Sequence, residues 1–309
     1  MDKIIKIIIY AGFSAFSLCG FSACSEKGEL SRGTMPVVDA DFAYSMVEKC
    51  SAIAPRGNGS AGTQRCIDFL SSELHKLSLP VIVDKWRDTT PEDSVEFTNV
   101  MTEIPGSSSD FILIGSHYDT KKLFSVPDFA GANDGGSSTG LLLAMIKSIV
   151  EHKRKTPLTL KFIFFDGEEC FFKYSGTDGL FGSRHLAEKW KSDGTIAKCR
   201  AVIILDMIGD KDLNIAIPSG ADSYLTETLI KIAKKQNHSE FFSKYNGDII
   251  DDHTPFQREG IPTIDIIDFE FGKGNRYWHT KADTMDKISR DSLKITGDAA
   301  LELLWNISR

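Results

Sequence analysis

The chain has 309 residues, 41% of them hydrophobic, and a formal net charge of −7. That is enough apolar material for one large α/β domain or two small ones. No basic cluster stands out, which argues against a nucleic-acid partner, and after the first two dozen residues no stretch is long and apolar enough to span a bilayer.

Lys3 and Lys6 flank the start of an apolar, small-residue-rich run, Ile7 to Ala23, which reads as a targeting segment. Phe21-Ser22-Ala23-Cys24 has the form of a bacterial lipobox. Residues 1–24 are therefore expected to be a signal peptide with Cys24 as the lipidated residue. Export to the bacterial cell envelope and membrane contact through that lipid alone follow as expectations. Residues 25–36 are polar and suit a tether, leaving 37–309 as one catalytic domain. An exported chain meets an oxidising compartment. Cys50 and Cys66 flank a Pro-Arg-Gly-Asn-Gly turn, so a local disulfide is one arrangement open to them.

Helical spacing runs from Asp39 to Ala52 and from Thr63 to Leu77, with Pro55 to Gly62 breaking it. Val81 to Trp86, Phe97 to Ile104 and Phe111 to Ser116 read as strands by their β-branched and aromatic content. Gly136 to Val150 is a buried helix and Leu158 to Phe165 a central strand. A helix follows from Ser183, its expected cap, to Trp190. Ala201 to Met207 and Thr263 to Ile267 are further apolar strands, and Tyr224 to Lys235 and Ile288 to Ile307 are helices. Strands alternating with helices predict an α/β fold: one domain with a central mixed, mostly parallel sheet and helices on both faces.

The run Lys161 to Phe165 stops at Asp166-Gly167-Glu168-Glu169. Its lack of polar alternation predicts a strand buried on both faces. Two adjacent carboxylates at its carboxyl end repel unless a cation or a shared proton relieves them, and open α/β sheets bind their ligands at such ends. Acidic and imidazole groups recur after other elements: His117-Tyr118-Asp119, Asn133-Asp134-Gly135, Leu205-Asp206-Met207, Asp251-Asp252-His253 and Trp278-His279-Thr280. Together they suit zinc at a catalytic site with an open coordination position. Cys170 follows the carboxylate pair with no activating base evident in the sequence, and reads as packing.

The order of these motifs resembles the zinc aminopeptidase superfamily, and within it the glutaminyl cyclases of the animal type. Phe164 to Glu169, Gly179 to Ala187, Asp251 to Phe256 and Trp278-His279-Thr280 carry the resemblance, which runs from about Ala40 to the C-terminus. It implies that Asp134, Glu169 and His279 bind one zinc ion and that Glu168 is the general acid/base. It further implies that Asp206 and Asp251 are buried acids in a network with Glu168. Trp278 would wall the substrate pocket, and Tyr174 stands where the animal enzymes have a second aromatic wall. Asp265 falls where they have a histidine, which places an acid near the site. Phe269 or Phe271, in a glycine-containing stretch, is expected to contact substrate. The implied reaction closes the N-terminal glutamine of a peptide or protein to pyroglutamate with release of ammonia, by an enzyme acting as a monomer. A two-zinc aminopeptidase, with His117 and Asp206 holding a second metal bridged by Asp134, is the alternative. In those enzymes a second acid often follows the bridging aspartate, and here Gly135 does. A non-catalytic binding member of the fold is the second alternative.

Overall fold

The computed structural model describes residues 35–308 apart from 58 and 154. The expected signal peptide with Cys24 and most of the expected tether lie outside the described residues. In chain order the elements are α1 (Ala40–Ser51), α2 (Ala61–Lys76), β1 (Ile82–Thr89), β2 (Ser94–Ile104), β3 (Phe111–His117), α3 (Gly136–His152), β4 (Thr159–Phe165) and α4 (Phe181–Ser192). Then come β5 (Cys199–Asp206), β6 (Ile215–Ile217), α5 (Ser223–Lys235), β7 (Phe242–Lys244), α6 (Thr254–Arg258), β8 (Thr263–Ile267) and α7 (Arg290–Ile307).

Six strands form the main sheet in the order β1-β2-β4-β3-β5-β8. β4, β3, β5 and β8 run parallel, while β2 is antiparallel to both β1 and β4. The parallel strands are apolar runs because both faces are covered. On β3, Ile112 and Ile114 enter the larger core with α1, α2, α3, α5 and α7, whereas Phe111 and Leu113 enter a smaller one with Leu186 and Trp190 of α4 and Phe256 of α6. Strand order reverses at β3: the chain passes first to β4 on one side, then over to β5 on the other. In doubly wound sheets that reversal opens a crevice at the carboxyl ends of the strands. The acidic motifs all sit at that end.

Local departures from the expected elements have physical causes. α4 begins at Phe181, and Leu180 in the left-handed region (φ 53°) precedes it without a side-chain cap. Ser183 is buried inside the first turn, its Oγ donating to the Leu180 carbonyl, and is not the cap. The three-residue strands β6 and β7 and the five-residue α6 are too short to show periodicity. Cys50 and Cys66 are free, fully buried thiols on α1 and α2. Among the described residues no helix is long and apolar enough to cross a membrane.

Candidate active site

β4 delivers the acidic pair. Gly167 turns the chain with a positive φ of 71°, and a Cβ there would lie 2.5 Å from the Phe97 ring. The backbone N–H groups of Glu168 and Glu169 then donate to Asp119 Oδ1 (3.1 Å) and Oδ2 (3.3 Å). Asp119 lies just beyond β3 and is fully buried, so one carboxylate from the neighbouring strand fixes both glutamates.

Asp134, in the loop leading into α3, receives a comparable anchor. The Asp283 carboxylate accepts from the backbone N–H of Asn133 (2.7 Å) and of Asp134 (3.2 Å). Arg56, fully buried, donates to the carbonyls of Tyr118 (2.8 Å), Ala130 (2.6 Å) and Gly131 (2.9 Å) and ties this loop to the end of β3. Gly135 is required here: its φ is 75°, and a Cβ would lie 2.7 Å from the Asp119 carbonyl oxygen and 2.9 Å from the His117 ring. An acidic side chain after Asp134 would displace His117.

His279 sits in the left-handed region (φ 52°) with Trp278 stacked on it at 4.0 Å. Strained backbone of this kind persists where the surroundings over-determine it. His279 Nε2 is 3.0 Å from Glu169 Oε1 and 3.2 Å from Asp134 Oδ2. Burial opposes the charged imidazole, but Glu169 and Asp134 outweigh it and hold the pKa of His279 up to about 10. Two carboxylates and an imidazole whose ligand atoms lie within 4.8 Å of one another, with Asp134 Oδ2 and Glu169 Oε2 buried in ion pairs but in no well-formed hydrogen bond, form a donor set of the kind zinc takes. These residues fit the ion.

A second group shares Asp134. His117 Nε2 is 3.1 Å from Asp206 Oδ1 and 3.3 Å from Asp134 Oδ1, and its Nδ1 is 3.5 Å from Asp119. Burial disfavours a charged His117, but Asp119, Asp134 and Asp206 reverse this and raise its pKa well above the usual range. Asp134 feels both rings. Burial would raise its pKa, yet His117 and His279 keep its carboxyl below the ordinary range.

Asp251, Asp252, His253 and Asp265 form a further buried group, with ligand atoms of Asp251, His253 and Asp265 within 4.8 Å of one another. Burial, reinforced by neighbouring acids, pushes Asp252 and Asp265 well up and Asp251 to about 6. Glu168 is also pushed well up, first by burial; the His117 charge opposes this, while Glu169, Asp251 and Asp252 add to it.

A cavity of about 330 Å³ opens onto these groups, lined by Asp134, Glu168, Glu169, Asp206, Asp251 and His279 on its floor. The rest of its lining is Tyr174, Tyr245, Asp248, Ile249, Ile250, Ile267, Phe269 and Trp278. Of the two phenylalanines left open by the sequence, Phe269 lies in this wall, packed 5.3 Å from Trp278. Phe271 is fully buried against Tyr277 and does not reach the cavity. Asp265 is likewise a correction to the expected pocket lining: it is fully buried on β8 behind Asp251, with His253 Nδ1 3.6 Å away. Tyr174 is more than a wall, because its hydroxyl donates to Glu168 Oε1 at 2.8 Å.

Sequence reasoning passed over Arg56, Ile249, Ile250 and Lys121. Lys121 Nζ lies 3.5 Å from Glu169 Oε2 and 3.1 Å from Cys170 Sγ, so a cation does stand beside Cys170. The one sequence signal for Lys121 was its place two residues beyond Asp119.

Residues 99–304 match the family described as Peptidase family M28. The glutaminyl-peptide cyclotransferase of Drosophila melanogaster is 25% identical over 270 residues, covering 79% of this chain and 75% of that protein. The crystal structure of a glutaminyl cyclase from an Acidobacteriales bacterium superposes with a TM-score of 0.84 at 35% identity, covering 90% of this chain and 97% of that one. A Zn-dependent exopeptidase from Parabacteroides distasonis is also similar, with a TM-score of 0.78 at 27% identity over 88% of this chain and all of that one. The chain belongs to peptidase family M28 and, within it, to the glutaminyl cyclases.

Proposed function

We propose that this protein is a zinc-dependent glutaminyl-peptide cyclotransferase, acting on the N-terminal glutamine of peptides and proteins. The observation that carries this reading is the placing of Glu168 beside the Asp134–Glu169–His279 donor set on the floor of an aromatic-walled cavity. The comparisons support it through relatives named for that activity.

An N-terminal glutamine carries its own nucleophile, the α-amine, and its own electrophile, the side-chain amide. Zinc held by Asp134, Glu169 and His279 would polarise the amide carbonyl. Glu168 takes a proton from the amine as its nitrogen bonds to the amide carbon. It returns that proton as the carbon–nitrogen bond to the departing ammonia breaks. Trp278, Tyr174 and Phe269 hold the side chain folded against its amine and keep out the water that would hydrolyse the amide. Asp206 and Asp251 complete the buried acid network, and burial together with Glu169, Asp251 and Asp252 favours the protonated form of Glu168 that must deliver to ammonia.

We assign one zinc ion. The aminopeptidase reading has a specific observation in its favour, the His117–Asp134–Asp206 group. Against it stands Gly135, whose position has no room for a second acid. Lipidation at Cys24, export to the cell envelope and a monomeric state complete the proposal; the targeting segment supports the first two. The test is mass spectrometry of a glutamine-initiated peptide incubated with the purified chain. Loss of ammonia from an otherwise intact peptide is expected, whereas release of a free N-terminal amino acid would establish the peptidase.

A further inference from the structure

Between Glu169 and α4 the chain makes a loop to which the reaction outlined above assigns only the Tyr174 ring, as cavity wall. Its carboxyl oxygens and amides are tied to each other rather than to solvent. Asp178 is buried, and its Oδ1 accepts from the backbone N–H of Phe171 (2.6 Å). Its Oδ2 accepts from those of Phe172 (2.9 Å) and Lys173 (3.0 Å). The Ser175 N–H donates to the Asp178 carbonyl at 2.9 Å. The base closes where the glutamates begin: Leu180 N–H donates to the Glu168 carbonyl (2.9 Å) and Phe181 N–H to that of Gly167 (2.8 Å). Arg184 Nε donates to the Gly179 carbonyl at 3.1 Å. Gly179 has a φ of 80°, and a Cβ on it would lie 2.6 Å from Tyr174 Cδ1 and 3.1 Å from Cys170 Cβ. The missing side chain at 179 is the space the Tyr174 ring occupies.

We propose that this loop is a positioning device for Glu168, with Tyr174 as its working end and Asp178 and Gly179 as its mount. A carboxylate has two equivalent oxygens, and rotation about its last bond exchanges them. The Tyr174 hydroxyl bonds Oε1 at 2.8 Å. A hydrogen bond of this length to a carboxyl oxygen is directional, so it opposes that exchange and leaves Oε2 as the oxygen free for the substrate amine. Tyr174 is a positioning residue in this scheme: it holds the general base and does not itself exchange a proton with substrate. The inference rests on the assignment of Glu168 as that base, and it holds whether the amine or a water gives up the proton.

The scheme separates kcat from KM. Tyr174→Phe keeps the ring in the cavity wall and removes only the hydroxyl. It should lower kcat roughly tenfold, the size of one hydrogen bond to a charged group, with KM within about twofold of the parent. Asp178→Asn keeps one acceptor in place of two and Gly179→Ala pushes the ring aside. Each should lower kcat in the same sense, and each combined with Tyr174→Phe should do no further harm, since both act through the same contact. Bound zinc and the circular dichroism of every variant, compared with the parent, show that the protein folds and keeps its metal. Tyr174→Phe with parental kcat, or with a raised KM at constant kcat, would make Tyr174 a wall and nothing else. Fully additive double variants would detach the mount from the hydroxyl. Whether the parent protein closes glutamine at all is read separately in its own assay, so failure of the functional reading does not pass for failure of this one.

Discussion

Two parts of one buried acid cluster act on Glu168, and they differ in what relieves their charge. Around Asp134 the acids alternate with imidazoles: His279 lies between Glu169 and Asp134, and His117 among Asp119, Asp134 and Asp206. Asp134 is held ionised there. Around Asp251 lies His253, whose pKa burial lowers, and Asp252 and Asp265 are pushed well up by burial and by neighbouring acids. The first half attracts cations, and the second satisfies itself with protons. Glu168, at the seam between them, feels the His117 charge from the first and the Asp251 and Asp252 carboxyls from the second. That is the setting a group needs to accept a proton and then give it back.

The comparison breaks most severely if the first half loses its open imidazole. His279→Ala should remove bound zinc and reduce turnover to background, measured by metal analysis and ammonia release together. His117→Ala is the matching test on the sealed imidazole. One zinc should remain, and kcat should fall about tenfold as Asp134 and Asp206 lose a common partner, the size expected of a disturbed hydrogen-bond network. Loss of a second zinc in that variant would restore the aminopeptidase reading. At the seam, Glu168→Gln keeps size and neutral polarity but cannot carry the proton. It should lower kcat by about 10²–10⁴-fold with zinc content unchanged; an unchanged kcat would remove Glu168 from the reaction.

The smallest effect concerns protons outside the seam. Asp268, fully buried just after β8, accepts from Asn214 and Glu270 N–H groups, yet burial raises its pKa to about 7. Its unfolded value is about 3.9. A pKa raised by folding means that the folded state holds the proton more tightly. The contribution is therefore full below about pH 4 and lost as pH rises through about 7. Asp268→Asn cannot ionise. Denaturant titrations should show it gaining on the parent by on the order of 1–3 kcal/mol between pH 5 and 8. A constant difference across that range would contradict the assignment.

The parallel strands were legible because burial on both faces leaves apolar runs, and the acids at their ends because a charged motif after such a run has few structural uses. The assembly of Asp134, Glu169 and His279 into one group came from a resemblance, not from spacing, since the three come from loops far apart in the chain. The supports were not legible. Asp283 acts on Asn133 from 150 residues away and Arg56 on Ala130 from 74. Their bonds are to backbone groups, which leave no mark on the sequence of the partner. Asp178 gave no signal in the sequence, and Gly179 entered only as the first residue of a stretch that carries the resemblance. Asp265, read as a neighbour of the substrate, does not line the cavity, because β8 is buried along its whole length and the Asp265 side chain is enclosed.

The most direct measurement is a zinc titration of the chelated protein, followed by ammonia release from a glutamine-initiated peptide of unchanged length. Activity should return in proportion to added zinc and level off at a single equivalent, with His279→Ala never recovering. Recovery that requires two equivalents, or the appearance of free glutamine in place of ammonia, would contradict the account.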